Sequence, residues 1–458
     1  MTDADRLNRT AKLFADDGSA DSLDEAAAIH ATYVLQVVVG RDVGASVTRQ
    51  AILATVVNTG VRAFAGGVRI VLSENPVLTL PWVRGLSASE AVAALGADVV
   101  DSIEDTHPTI VIGTTDQPPP GSSVIYPTWH GWVGAAVVEH ADRLREQQEC
   151  ELAGVLAGGL SVSEAFLHRY GHPPAGRRSV GLSLWTPDRD WRDGVAVGPP
   201  VRFLPESFWL AGLGHLGQGY AWTLGCLPYA ADSAARVMLQ DFDVVVEANA
   251  STGALTTPAD IDAPKTRIVG RQLESVGFKT SITERRYDAN TIRAGDEPVL
   301  LLAGFDRPEP RRELEPSDHG FTLAVDAGLG AGIDHYVDIL VHSFPASGSA
   351  REAFPAAPDL PAPGKAREAA YVEYERTLIE RGVETGTAAC GTIEIEGRTV
   401  AVCFVGAVAS TLVLSEPLRV LHGGERFEVV SLSLRSPEHL DAVTAPTARH
   451  PAVPFIRL

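Results

Sequence analysis

A glycine-rich hexapeptide in the middle of the chain, Gly212-Leu213-Gly214-His215-Leu216-Gly217, has residue types and spacing suited to phosphate binding. An apolar strand is predicted just before it at 208–211, and a helical pattern follows at 220–227. In this context the first glycine makes a tight turn, the second lets backbone approach a phosphate, and the third lets helix and strand pack closely. We therefore predict that Gly212, Gly214 and Gly217 bind a nucleotide. The alternative is a tight turn of a Rossmann-like unit that binds nothing.

An acid follows the next predicted strand, 236–239. Asp241 lies 29 residues (241 − 212) after the first glycine of the loop. An acid at the end of the second strand of such a unit can accept hydrogen bonds from ribose hydroxyls. The alternative is an aspartate that caps a turn at the strand end.

The charge balance limits the kinds of partner that the chain can have. Its 458 residues include 38 lysines and arginines against 58 acidic residues, which gives a formal net charge of −20 at pH 7. Such a surface repels phosphate backbones and anionic lipids, so we expect neither a nucleic-acid nor a membrane partner. A local phosphate site remains compatible with this charge, because backbone amides can build one.

The cysteines and the N-terminus indicate a cellular compartment. Cys150, Cys226, Cys390 and Cys403 are too sparse for a disulfide scaffold and include no CxxC pair. The N-terminus is polar and acidic, without the apolar segment of a signal peptide. The longest apolar run, 400–414, is shorter than the ~18 residues expected of a membrane span, so it predicts a buried helix. These features predict a reduced, cytoplasmic protein.

Alternating helix and strand patterns predict a first α/β unit in the N-terminal third of the chain. A helical pattern at 47–65 precedes predicted strands at 68–72 and 109–113, and no glycine-rich phosphate loop accompanies them. The stretch 146–205 contains a helical pattern, followed by several prolines with many arginines and aspartates, and we interpret it as a linker.

A second α/β unit begins near residue 206. A proline-rich stretch within it predicts a crossover loop at about 345–390. A strand at 392–395 and an apolar helix that ends near residue 421 are predicted after this loop.

The order of motifs in the second unit resembles that of the E1-like activating enzymes, which include the ThiF/MoeB group and the ubiquitin-activating enzymes. The motifs are GLGHLG, LQDFDVVVEAN, PKTRIVGRQLE and LLAGFD, and the resemblance covers 208–421. It implies a Rossmann-like E1/ThiF fold of the α/β class and an enzyme that adenylates the C-terminal carboxylate of a partner. The implied cofactors are ATP and Mg²⁺. The implied partner is a ubiquitin-like or sulfur-carrier-like protein, or a peptide.

The resemblance also implies roles for individual residues. Asp241, with Asp243 in the same D-x-D strand end, would bind the ribose side of the nucleotide, and Asn249 would lie at the phosphate edge. Lys265 would contact the ATP phosphates, and Asp306 would hold magnesium. A glycine loop, one lysine, one aspartate with magnesium and an arginine would be chemically sufficient, because adenylation mainly needs positioning and charge neutralisation, and the carboxylate nucleophile is already ionised.

The sequence departs from the family pattern at several points. The family's arginine after the asparagine falls at Thr252, and its asparagine after the metal-binding aspartate falls at Arg307. The CxxC pairs of the ThiF branch are absent, so we expect no structural zinc. Arg271, on the same predicted helix as Lys265, could replace the missing positive charge. The alternative is an ordinary exposed helix arginine.

Activating enzymes work as dimers or pseudo-dimers, in which an active half packs on a degenerate one. By this resemblance, 1–145 is the degenerate half and 206–458 the nucleotide-binding half, in a monomeric pseudo-dimer or a homodimer. Arg49, in the sequence Val47-Thr48-Arg49-Gln50, resembles the arginine that the family extends to the partner's nucleotide. A surface arginine at a helix start is the alternative.

Cys390 is the candidate for a thioester-forming nucleophile. The resemblance implies this role, because many family members place their catalytic cysteine near the crossover loop. A nucleophilic cysteine needs exposure and a lowered pKa, and neither histidine nor lysine lies close to Cys390 in sequence. A small buried residue is the alternative.

The sequence leaves three functions open. The first is an ATP-dependent adenylating enzyme of the E1-like class. The second is a nicotinamide-dependent oxidoreductase, which shares the glycine loop and the strand-end acid but does not require Lys265 or Asp306. The third is an inactive E1-like protein that binds a partner, and Thr252 is its best support.

Overall fold

The computed structural model describes residues 2–116, 119–231, 235–355, 368–446 and 451–458. The N-terminal half of these residues contains a seven-stranded sheet, in the order β3-β2-β1-β4-β5-β6-β7, whose strands are β1 (Leu35–Val39), β2 (Val68–Leu72), β3 (Asp98–Val99), β4 (Pro108–Ile112), β5 (Ser123–His130), β6 (Val133–Val137) and β7 (Val180–Ser183). Strands β1 to β5 pair in parallel, whereas β6 pairs antiparallel with both neighbours. Strands β1 and β4 are buried along their whole length, as expected for parallel strands covered on both faces.

Six α-helices belong to the described N-terminal half: α1 (Asp3–Arg6), α2 (Lys12–Asp16), α3 (Leu23–Ala31), α4 (Val47–Ala63), α5 (Ala88–Ala94) and α6 (Glu151–Tyr170). The Ser46 side chain caps α4 by accepting a hydrogen bond from the Arg49 amide. Helix α6 ends at Gly171, whose φ of +96° only glycine adopts readily. The prediction of helix and strands in this half is thus confirmed.

The stretch 146–205 is not a linker in the structure. It contains helix α6, in which all residues from Glu151 to Leu167 are buried, and strand β7, which pairs with β6. The prolines and charged residues that suggested a linker lie mainly in the turns around β7. Burial of the 20-residue helix makes this stretch part of the N-terminal unit.

The C-terminal half of the described chain contains an eight-stranded sheet, in the order β11-β10-β9-β12-β13-β14-β15-β16. Its strands are β9 (Ser207–Ala211), β10 (Arg236–Gln240), β11 (Lys279–Thr283), β12 (Leu300–Ala303), β13 (Leu323–Leu329), β14 (Asp338–Phe344), β15 (Phe427–Ser433) and β16 (Asp441–Thr444). Strands β9 to β13 pair in parallel, and β14 to β16 extend the sheet antiparallel. Two further strands, β8 (Phe203–Pro205) and β17 (Phe455–Arg457), pair separately.

The described helices of this half are α7 (His215–Cys226), α8 (Lys265–Ser275), α9 (Pro308–Arg311), α10 (Pro316–His319), α11 (Ala350–Ala353), α12 (Ala369–Glu380), α13 (Thr385–Glu396) and α14 (Cys403–Leu421). The predicted strand at 392–395 is wrong, because these residues form the end of α13. The β-branched residues there suggested a strand, but Thr392 and Ile395 are buried on one side of the helix. Of the predicted crossover loop, 356–367 lies outside the described residues, and much of the rest is helical.

Helices α4 and α6 of the first unit pack against α7 and α14 of the second, so the two sheets flank a shared helical layer. Contact between α7 and α14 is close: a Cβ at Gly219 would lie 2.7 Å from the carbonyl oxygen of Gly406. Between the units, Trp222 Nε1 donates to Thr55 Oγ1 at 3.1 Å. Helix α14 is long and apolar enough to cross a membrane, but 94 % of its apolar window is buried inside the protein. The fold is therefore of the predicted α/β class, with two sheet-bearing units packed on each other through helices.

Candidate functional site

The glycine loop joins β9 to α7 with the geometry that a phosphate loop requires. Gly212 has a φ of +80°, and a Cβ at Gly217 would lie only 1.9 Å from the carbonyl oxygen of Gly212. By contrast, a Cβ at Gly214 would meet no atom of the described chain within 4 Å. Gly214 is also the N-cap of α7, so the first amides of that helix receive no bond from its side chain. The open side of the loop at Gly214 is where an anion could approach backbone.

Asp241 fastens the glycine loop from the end of β10. Its Oδ2 accepts from the amide of Leu213 at 2.5 Å, and its Oδ1 accepts from the amide of Asp243 at 2.8 Å. The residue is 8 % exposed. A carboxylate has further acceptor sites beyond these two bonds, so ribose binding by Asp241 stays a prediction.

Lys265 and Asp243 form an ion pair beside Asp241. The Nζ of Lys265 lies 2.9 Å from Asp243 Oδ2. The Lys265 side chain is 10 % exposed, whereas that of Asp243 is 48 % exposed. Lys265 is also the first residue of α8, and its amide donates to the Asp243 carbonyl at 3.0 Å. The ammonium is therefore held at the carboxyl ends of β9 and β10 by a partner that faces solvent.

Asp306 lies at the same edge of the sheet, just after β12. The amide of Gly304 donates to the Ala211 carbonyl at 2.8 Å, which fixes the chain beside the glycine loop, and Asp306 two residues later is exposed. The described residues contain no group of three or more His, Cys, Asp or Glu that could hold a metal ion by themselves. A single carboxylate still fits Mg²⁺, which takes most of its ligands from water and substrate phosphates.

Asn249 lies in a loop after β10 and shapes that loop. Its Oδ1 accepts from the amide of Val246 at 2.9 Å, and its carbonyl accepts from the amide of Gly253 at 2.7 Å. Thr252, at the position of the family arginine, is buried. The structure therefore gives Asn249 a turn-forming role, and its phosphate contact stays a prediction.

The structure does not bring Arg271 or Arg49 to this edge. Arg271 donates to Asp260 Oδ1 at 2.6 Å, and its side chain is 64 % exposed. Six residues along α8 rotate Arg271 by about 240° relative to Lys265, so the two side chains leave the helix in different directions. Arg49 lies in the N-terminal unit, where it donates to Glu146 Oε2 at 2.8 Å and lies 3.2 Å from Asp42 Oδ2. Both arginines pair with local carboxylates, and a contact of either with a nucleotide stays a prediction.

Arg9 is a charged residue near the site that the sequence analysis missed. Its amide donates to Ser251 Oγ at 3.2 Å. Burial lowers the pKa of Arg9 to about 10 and Arg398 acts in the same direction, whereas Asp5 and Asp306 act to raise it. The guanidinium itself donates from Nη1 to the Thr399 carbonyl at 3.4 Å, and Asp306 is the weakest of the charges that act on it. Local sequence could not reveal the position of Arg9, because Arg9 and Asp306 lie far apart in the chain.

Cys390 lies on α13 and is exposed, whereas Cys150, Cys226 and Cys403 are buried. It lines a groove of about 390 Å³ together with Thr2, Tyr374, Leu378, Glu394 and neighbouring residues. The alternative of a small buried residue at 390 is therefore wrong. Burial raises the pKa of Cys150 to about 12 and that of Cys403 to about 11, which makes these thiols unreactive.

The N-terminal helices hold the helices around Cys390. The hydroxyl of Tyr374 on α12 donates to Asp3 Oδ2 at 2.7 Å. The hydroxyl of Tyr371, one turn earlier, donates to the Asp16 carboxylate. The N-terminal segment is thereby attached both to the loop after β10, through Arg9 and Ser251, and to the cysteine-bearing region.

Comparison with known proteins places this chain in a family. The family model of the BilD N-terminal domain matches residues 34–184, and that of the BilD C-terminal domain matches residues 204–424. The bacterial E1-like protein BilD of Collimonas sp. (strain OK412) is 36 % identical over 449 residues, which cover 97 % of this chain and 95 % of that protein.

Two solved structures are also similar, with low scores. Escherichia coli MccB with succinimide aligns at a TM-score of 0.33 and 10 % identity, over 54 % of this chain and 65 % of that chain. PaaA aligns at 0.34 and 12 % identity, over 52 % of this chain and 64 % of that chain. The alignments thus span slightly less than two thirds of these two proteins. On its similarity to the Collimonas protein over nearly the whole length, the chain belongs to the BilD family of bacterial E1-like proteins.

Proposed function

We propose that this protein uses ATP to adenylate the C-terminal carboxylate of a ubiquitin-like or sulfur-carrier-like protein, or of a peptide. The observation that carries the proposal is the meeting of three groups at one sheet edge: the open glycine loop, the Lys265–Asp243 pair and the exposed carboxylate of Asp306. Ligands of open α/β sheets bind at this edge, beyond the carboxyl ends of the strands.

The reaction needs positioning and charge neutralisation rather than a general base. A carboxylate oxygen of the partner attacks the α-phosphorus of ATP, a new O–P bond forms, and the bond to the β-phosphate oxygen breaks to release pyrophosphate. The Lys265 ammonium would leave Asp243 for the phosphates, and the α7 amides would bind their oxygens. Asp306 would hold Mg²⁺, which supplies further positive charge to the phosphates. Arg9 would add the charge that Thr252 does not.

A second step at Cys390 fits the exposed thiol. Its sulfur would attack the carbonyl carbon of the acyl adenylate, so that a C–S bond forms and the C–O bond to AMP breaks. AMP leaves and the thiol proton passes to solvent, which leaves a thioester. Substitution by alanine should remove any adduct that is cleaved by a thiol reductant and leave adenylation intact. An adduct that persists in Cys390→Ala would exclude this cysteine.

Nucleotide binding separates the competing functions. Calorimetric titration with ATP and Mg²⁺, NAD or NADP should show binding of ATP alone. Preference for NAD or NADP would favour the oxidoreductase. No nucleotide binding would favour an inactive partner-binding protein, for which the buried Thr252 in place of arginine is the supporting observation.

The loss of Lys265 or Asp306 tests the chemistry. ATP–pyrophosphate exchange, measured with a candidate ubiquitin-like protein that ends in a free carboxylate, should fall about a hundredfold in Lys265→Ala and in Asp306→Ala. This corresponds to about 3 kcal/mol, the usual loss for one preorganised electrostatic contact. The melting temperature should hardly change. Unchanged exchange in both variants would reject the site. The use of ATP agrees with a cytoplasmic location, and the two units in one chain agree with a monomeric pseudo-dimer.

A further inference from the structure

The N-terminal unit holds one of the loops of the nucleotide edge by its backbone. This loop, residues 249–256, joins β10 to α8 and is called the phosphate-edge loop below. Arg62 on α4 donates from Nε to the Gly253 carbonyl at 2.9 Å and from Nη2 to the Thr256 carbonyl at 3.1 Å. Asn58, one turn earlier, donates to the Ala254 carbonyl at 3.1 Å. Side chains of the degenerate half therefore take up backbone acceptors of a loop in the other half.

The guanidinium of Arg62 acts here through hydrogen bonds. Its Nη1 donates to both the carbonyl and the side-chain oxygen of Asn58, so its hydrogen-bond acceptors in the described chain are neutral oxygens. Burial lowers the pKa of Arg62, with Cys403 acting weakly in the opposite direction. A buried cation is costly unless hydrogen bonds satisfy it. The planar fork of donors fixes two carbonyls relative to each other, which a lysine ammonium cannot do.

Gln218 of α7 holds the phosphate-edge loop from the other side. Its Oε1 accepts from the Leu255 amide and from Thr256 Oγ1, both at 3.0 Å. Its Nε2 donates to the carbonyl of Leu213 at 3.3 Å, inside the glycine loop. The amide of Leu213 in turn donates to Asp241. Hydrogen bonds thus run without interruption from α4 of the N-terminal unit to the glycine loop.

We infer that Arg62 is a positioning residue for the nucleotide site, through which the degenerate unit sets the shape of the phosphate-edge loop and the glycine loop. The inference rests on the proposed function, since it assigns a supporting group to the same ATP site. Small displacements of positioning groups reduce binding and rate strongly. Removal of the Arg62 guanidinium should therefore weaken ATP binding, although Arg62 itself does not contact the nucleotide in this proposal.

The test compares ATP affinity with stability. Calorimetric titration with ATP and Mg²⁺ should give about tenfold weaker binding in Arg62→Ala than in wild type. Arg62→Lys, which keeps the charge but loses the fork, should also bind more weakly and serves if the alanine variant does not fold. Hydrogen exchange of the amides at 249–256 should be faster in both variants without nucleotide.

Two control variants separate positioning from general loss of stability. Val57→Ala leaves a cavity on the same helix and should lower the melting temperature while ATP affinity stays at the wild-type value. Arg69→Ala removes a half-exposed arginine paired with Glu104 and should change neither. Wild-type ATP affinity in the Arg62 variants, or an equal loss in Val57→Ala, would overturn the inference but leave the proposed function standing. No ATP binding by the wild-type protein would overturn both.

Discussion

The edges at the carboxyl ends of the parallel strands have a similar architecture in the two units, but different side chains occupy them. In the N-terminal unit, the side chain of Arg143 donates to the carbonyl of Gly113 at 2.7 Å, just after β4. Arg49 donates to the carbonyl of Asp42 at 2.7 Å, just after β1. Both guanidinium groups pair with Glu146, whose side chain is 9 % exposed. In the C-terminal unit the corresponding edge exposes the carboxylates of Asp243 and Asp306 and the open face of Gly214.

The difference gives the two edges different access to a ligand. The carboxylate of Glu146 lies between the guanidinium groups of Arg49 and Arg143, so both arginines are paired within the chain. Glu146 and Gln148 have φ values of +51° and +63°. Such left-handed backbone costs about 1 kcal/mol or more per residue outside glycine, and the buried ion pairs offset it. The N-terminal edge is thus closed by its own chain, and the C-terminal edge is held open by its glycines.

The largest effect on ATP affinity is expected from a substitution in the glycine loop of the C-terminal unit. In Gly217→Ala the new Cβ would overlap the backbone carbonyl of Gly212, and backbone cannot move away as a flexible side chain can. We expect ATP affinity to fall at least a hundredfold, by about 3 kcal/mol or more. Gly214→Ala, with open space for its Cβ, should keep the wild-type melting temperature and bind ATP about tenfold more weakly. Equal ATP affinity in the two variants would contradict the assignment of the loop.

Two buried groups should give the two units opposite responses to pH. Burial lowers the pKa of His215, whose ring lies against Gly406, from 6.5 to about 4. The unfolded chain therefore takes up the proton first, and stability that is complete above pH 6.5 declines by about 3 kcal/mol as the pH falls to 4. Burial raises the pKa of Glu151 at the start of α6 to about 7. Its unfolded form ionises first, so stability declines as the pH rises from about 4.5 to 7.

Urea denaturation between pH 4 and pH 8 measures both expected changes in the free energy of unfolding. His215→Asn should flatten the acid limb, and Glu151→Gln should flatten the decline between pH 4.5 and pH 7. A wild-type acid limb in His215→Asn would mean that other groups cause it.

Substitution of Arg9 should lower activity, whereas substitution of Arg49 in the N-terminal unit should lower stability. Arg9→Ala should lower ATP–pyrophosphate exchange about tenfold, because one charge near Asp306 is lost. Arg49→Ala should leave exchange unchanged but lower the free energy of unfolding by about 3 kcal/mol, since Glu146 loses one of its two buried partners. The reverse result would restore the first interpretation of Arg49.

The smallest effect is expected at Arg271. Its ion pair with Asp260 is exposed on the arginine side, so Arg271→Ala should cost at most about 1 kcal/mol of stability. ATP affinity should stay at the wild-type value. A loss of affinity would mean that Arg271 exchanges its partner when nucleotide binds.

The glycine loop and its flanking strand and helix could be predicted because their signals are local. The turn at Gly212, the close approach at Gly217 and the acid after β10 depend on a few consecutive residues. Arg9 and Arg62 could not be predicted, because their contacts are to residues far away in sequence and no spacing rule relates them. The helical pattern of α6 was visible in the sequence, but the prolines that follow it led to the interpretation of the whole stretch as a linker. The end of α13 was predicted as a strand because burial of Thr392 and Ile395, rather than β-propensity, decides its structure.

The attachment of the N-terminal helices to α12 has a consequence for synthesis. Asp16 meets Tyr371 across 355 residues of chain, and Asp3 meets Tyr374 across 371. At about 5–20 residues per second, a ribosome needs roughly 20 to 70 s to make the partner after Asp16 has been translated. During that time the contacts of α1 and α2 with α12 cannot form, although Phe14 of α2 can already pack against Tyr33 and Tyr170 of the N-terminal unit. The hydrogen bond between Arg9 and the Thr399 carbonyl also forms only when nearly all of the chain has been made.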